Sequence, residues 1–113
     1  MQKTNKYKDE KMASLISNFA AEYFGQEASK NSLMTITHAD ILDRGRRAIV
    51  YFTTLPREKE AEALDFAKRR SRDFKRFIMN KKTFGFAPNI DFCIDLGEQN
   101  RQRIDELSNE SLK

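Results

Sequence analysis

Lys68, Arg69, Arg70, Arg72, Lys75, Arg76, Lys81 and Lys82 stand within fifteen consecutive positions that hold only one acid, Asp73. This stretch carries +7, so the other 98 residues must carry −3 to reach the overall formal charge of +4. A mildly acidic body with one strongly basic segment fits the recognition of a polyanion, because clustered Lys and Arg neutralise a phosphate backbone. A competing explanation is the helix dipole. Acids near a helix N-terminus and bases near its C-terminus each contribute about 0.3–1 kcal/mol. That accounts for Glu58, Glu60, Glu62 and Asp65 preceding the bases. It does not account for the density, since like charges three or four positions apart on a helix repel one another.

The other chemistry-bearing residues are sparse. His38 is the only histidine and falls in an expected strand, where a structural role fits better than that of a base or ligand. Cys93 has no second cysteine with which to frame a metal cluster or a disulfide. Asp91 and Asp95 could share the wet face of a strand, which is ordinary surface chemistry. The segment Thr83-Phe84-Gly85-Phe86-Ala87 lacks a glycine-rich phosphate loop. No catalytic residue, metal site or cofactor is expected, and an enzyme is not the favoured reading.

The basic segment belongs to residues 58–82, which read as one long helix or two in tandem. Ala63, Leu64, Ala67, Phe74, Phe77 and Ile78 recur at helical spacing and should line its core side. Lys68, Arg69, Arg72, Lys75 and Arg76 then fall on one broad face, opposite Ala67, Ser71, Phe74 and Ile78. On a straight helix Arg70 would point toward Phe74 and Phe77, a costly direction for a permanent charge. A break near residues 70–72 would turn it to the surface and offer backbone amides beside it for phosphate. Phe66, Phe74 and Phe77 read as core rather than as platforms for stacked bases.

The elements that must position this segment follow from periodicity. Met12, Leu15, Ile16, Phe19, Ala20 and Tyr23 mark an amphipathic helix from about residue 9, with Asp9 and Glu10 at its positive end and Gly25 as a left-handed cap. Leu33 to Leu42 and Arg47 to Leu55 read as two strands around Asp43-Arg44-Gly45-Arg46, where Gly45 supplies positive φ. Arg44, Arg46 and Arg47 could add to the basic face from this hairpin. Phe84 and Phe86 should tuck under a loop interrupted by Gly85 and Pro88. Ile90 to Asp95 alternates as a third strand, and residues 98–110 form a short charged helix.

The expected fold class is therefore α+β, with a three-stranded sheet and helices packed on one face. Residues 1–8 are expected to be a flexible tail, 9–97 the folded domain, and 98–113 a C-terminal helix and tail. At 113 residues with nine Phe, the chain suffices for one core. No apolar run approaches the roughly 20 residues of a membrane span, and no secretory signal is visible. A cytoplasmic monomer without a membrane partner is expected.

Several stretches together resemble the ribosome-binding factor A family, whose domain is of the type II KH kind. Met34-Thr35-Ile36-Thr37 resembles its "VTIT" strand opening, and Ala48-Ile49-Val50-Tyr51-Phe52 its "AKVYV" second strand. Glu60 to Ala67 is similar to the start of its long helix. Pro88-Asn89-Ile90-Asp91-Phe92 with Asp95 is similar to "PELxFxxD", and Arg103-Ile104-Asp105-Glu106-Leu107 to "RIxxLL". The resemblance implies an α-β-β-α-(kink)-α-β fold and a nonenzymatic factor for the immature 30S subunit. Its partners would be the 30S particle, 16S rRNA or its precursor, and other assembly factors.

Two departures stand out. Leu42-Asp43-Arg44-Gly45 replaces the family's Ser-x-Asp-Leu turn. Arg70-Ser71-Arg72 occupies the place of its Ala-x-Gly kink, with no glycine. The alternatives are a KH-like protein acting on transcripts and a module whose basic helix docks on an acidic partner. The lack of a Gly-x-x-Gly loop argues against the first, because that loop clamps single strands.

Overall fold

The computed structural model describes residues 5–27 and 33–97. Helix α1 (Asn5–Glu27) leads into strand β1 (Leu33–Leu42), a turn at Asp43–Gly45 and strand β2 (Arg47–Leu55). Helices α2 (Glu60–Arg69) and α3 (Ser71–Asn80) then precede strand β3 (Asn89–Ile94). The strand order is β1-β2-β3, with β1 antiparallel to β2 and β3 parallel to it. The fold is α+β, and α2 with α3 forms the crossover that a parallel pair requires. The expected helix over 98–110, and with it Arg103, Ile104 and Leu107, lies outside the described residues.

Alternation along β2 divides the sheet. Ala48, Val50, Phe52 and Thr54 are buried under the helices, while Arg47 and Leu55 stand exposed and Ile49, Tyr51 and Thr53 are half-buried on the opposite, open face. Ile90 and Phe92 of β3 join the core. The helices contribute Ile16, Ala20, Tyr23, Phe24, Ala63, Ala67, Phe74 and Ile78. Phe24 was not part of the periodic stripe read from α1, yet it is 1% exposed. Its ring meets Phe92 at 5.3 Å, Phe74 at 5.6 Å and Phe66 at 6.3 Å, making it the hub where α1, α2, α3 and β3 converge.

Three local expectations change. Helix α1 starts at Asn5, so residues 5–8 belong to the helix rather than to a tail. It also runs through Gly25, which does not adopt positive φ. A glycine inside a helix costs about 1 kcal/mol, and burial of Tyr23 and Phe24 offsets that cost. Finally, Phe86 does not tuck under its loop. It is 51% exposed, whereas Phe84 is half-buried with its ring 6.4 Å from Phe19.

Candidate nucleic-acid interface

The two crossover helices divide at Arg70, whose backbone (φ −95, ψ 3) leaves the helical region for the bridge region. No glycine is needed, because this conformation keeps φ negative. The Arg70 N–H is shared between the carbonyls of Phe66 (3.1 Å) and Ala67 (3.0 Å), while the Phe74 N–H donates to the Arg70 carbonyl at 2.8 Å. The hydrogen-bond ladder therefore carries across the bend. The bend lets Ala67, Phe74 and Ile78 all reach the core while Arg70 remains 40% exposed by side chain. Its guanidinium lies 5.2 Å from the centre of the Phe66 ring, with the stem over apolar surface and the charge in water.

The basic side chains of this platform differ in what they touch. Lys68 and Arg72 are exposed and make no ion pair among the described residues. Arg69, Arg70 and Arg76 lean on acids: Arg69 reaches Asp65 at 3.1 Å, while Arg70 and Arg76 approach Asp73 at 3.9 and 3.6 Å. These are exposed pairs, worth about 0–1 kcal/mol each, so they orient the cations without withdrawing them from a polyanion. Lys81 turns instead toward α1, 3.0 Å from Glu22 and 4.6 Å from the centre of the Phe77 ring. Lys82 follows α3 with a left-handed backbone (φ 56) and stands exposed.

Lys75 links this platform to the hairpin. Its Nζ donates to Asn89 Oδ1 at 2.9 Å, and the Asn89 N–H donates to the Arg46 carbonyl at 2.9 Å. One residue at the start of β3 thus touches both basic elements and brings Arg46 and Lys75 to the same end of the sheet. Sequence patterning cannot identify Asn89 for this role, because its partners lie far away along the chain. Arg47 is placed differently from the expectation that it adds to the helical face. Strand alternation puts it on the open face, where it pairs with Asp91 at 3.3 Å and Asp43 at 3.7 Å. Arg44 and Arg46 stay exposed around the turn.

A second polar group sits on the sheet beside the middle of β2, where β3 ends. The pairing of β1 with β2 slips between Ile36 and His38, leaving Thr37 in a bulge. Its hydroxyl donates to Asp95 Oδ2 at 2.6 Å, and His38 Nδ1 lies 3.5 Å from the same oxygen. Asp95 is therefore buried rather than wet. His38 stacks on Tyr51, with centroids 4.4 Å apart and planes at 14°. The Tyr51 phenol is pushed above its ordinary pKa, first by burial and then by its hydrogen bond to Asp40. Satisfied in this way, the group braces the sheet at that point. Among the described residues, no group of three or more His, Cys, Asp or Glu side chains could hold a metal ion. Cys93 is exposed. No described helix is long and apolar enough to cross a membrane.

No protein-family model and no curated protein sequence matches the chain. Solved structures do. The crystal structure of ribosome-binding factor A from Thermus thermophilus aligns with a TM-score of 0.66 at 16% identity, over 76% of this chain and 94% of that one. The chain shares that fold. A solution NMR structure from Thermotoga maritima, of a candidate ribosome binding factor A, also gives 0.66, at 24% identity, over 77% of this chain and 86% of its own. Ribosome-binding factor A structures thus preserve the architecture at identities where few surface residues need correspond. The bases on α2 and α3 must be judged by their own geometry.

Proposed function

We propose that this protein is a ribosome-binding factor that associates with the immature 30S subunit and promotes maturation of 16S rRNA. The observation that carries this reading is a dense basic surface on α2 and α3, borne by a fold shared with ribosome-binding factor A structures. Lys68, Arg69, Arg70, Arg72, Lys75 and Arg76 contact phosphates of structured RNA, with Arg44, Arg46 and Lys82 extending the footprint past Asn89. Such contacts position a backbone and read shape rather than sequence. The protein acts without catalysis, as a cytoplasmic monomer whose residues 5–97 form a KH-like RNA-binding domain.

The test is cosedimentation with immature and mature small subunits across a salt series, with large subunits and an unrelated structured RNA as competitors. Saturable binding that survives competition is expected. Changing Arg69, Arg72 and Arg76 together to Ala should weaken binding by about 30- to 100-fold at moderate salt and flatten the salt slope by about 2–3. Equal binding to every RNA, or no loss in the triple variant, would remove this assignment and favour docking on another polyanion.

A further inference from the structure

The turn between β1 and β2 combines three features that the phosphate-binding reading does not use. The first is backbone strain: Asp43 (φ 52) and Arg44 (φ 56) are both left-handed, followed by Gly45 (φ 89). Positive φ is what a tight turn between antiparallel strands favours, and Asp43 and Gly45 adopt it readily, so the conformational cost falls mainly on Arg44. The second is Phe86, the half-exposed ring of the loop before β3. Its Cζ would lie 3.8 Å from a Cβ built on Gly45, so the ring is seated against the strained turn rather than waving free. The third is a hollow of about 380 Å³ whose walls include Lys8, Asp9, Met12, Arg44, Phe84 and Phe86. The hollow is half open to solvent, so it could cover only part of a ligand. A second hollow, lined by Asp43, Arg44 and Arg46, adjoins it round the turn.

We infer that this hollow is a binding site for one unstacked nucleotide of an RNA, such as a bulged base, with Phe86 as the stacking surface. An exposed aromatic ring offers its face to any base, while Arg44, Lys8 and Arg46 supply the positive charge that holds the flanking phosphates. Asp9 gives the rim one acceptor for an exocyclic amino group. Arg44, in left-handed geometry, lines this rim. The inference rests on the RNA-binding reading above and adds to it a preference for RNA with an unpaired residue.

The test uses two RNA hairpins of equal length, one with a single bulged 2-aminopurine and one with that base paired. The wild-type protein should quench the bulged fluorophore and bind that RNA about tenfold more tightly than the paired one, the scale of one base stacked on an aromatic ring. Phe86→Leu keeps apolar volume but lacks the aromatic face, and should lose both the quench and the preference. Phe86→Trp should keep both. The triple Arg69, Arg72 and Arg76 variant should weaken both RNAs alike and leave their ratio unchanged. If Phe86→Leu behaves as wild type, or wild type shows neither quench nor preference, the nucleotide site is overturned and the polyanion reading stands. If wild type binds neither RNA, the nucleotide site is overturned, while the small-subunit reading stands or falls on the cosedimentation result.

Discussion

The two basic regions of this protein reach the same end of the sheet by opposite means. On α2 and α3 the cations, Arg70 at the bend excepted, ride helical backbone above fully buried Ala67 and Phe74, and two acids steady three of them. Around the hairpin turn the cations are fewer, and one of them, Arg44, stands on backbone that an arginine disfavours, beside a ring left half in water. The first arrangement maximises charge at little conformational cost. The second gives up stability for placement. Charge density alone suits attraction to any phosphate backbone, whereas strain plus an exposed ring suits discrimination among RNA shapes.

This contrast can be broken at its base by removing the support beneath the helical platform. Phe74 is 0% exposed and meets Tyr23 at 5.5 Å, Phe24 at 5.6 Å and Phe92 at 6.1 Å. Phe74→Ala should lower unfolding stability by about 3–5 kcal/mol in urea titrations. A loss below about 1 kcal/mol would mean that α3 is not anchored by this ring.

At the turn the sign should reverse. Arg44→Gly relieves a left-handed arginine (φ 56) and should raise stability by about 0.5–1 kcal/mol, while weakening binding of bulged RNA. Destabilisation on that substitution would show that the Arg44 side chain holds the turn rather than being strained by it.

The smallest effect sharpens the helical side. Asp73 approaches both Arg70 and Arg76, so Asp73→Asn should tighten RNA binding by about two- to fivefold, the scale of exposed ion pairs. A filter-binding titration at several salt concentrations would read this out. Weaker binding would instead assign Asp73 to holding the two arginines in a productive pose.

Much of this molecule was legible because its signals are local. The period-two burial of β2, the glycine in the hairpin turn and the awkward direction of Arg70 on a straight helix all arise within a few residues. What escaped were consequences of distant segments meeting. Phe24 is core because three helices and β3 converge on it. Asp95 looked like a wet-face acid, but the Thr37 bulge, 58 positions earlier, buries and satisfies it. Gly25 reads as a cap, yet the aromatic residues before it hold the helix through to Glu27.

The sequence by itself determined the element order, the apolar faces and the lengthwise sorting of charge, because helix and strand periodicities act on neighbours along the chain. Tertiary structure alone decided which cations share a surface. It turned Arg47 to the open face beside Asp91, joined Lys75 to the hairpin through Asn89, and left Phe86 seated on Gly45. The physical reason is that strand register and helix docking are set by burying the core. Surface side chains go wherever that burial carries their backbone.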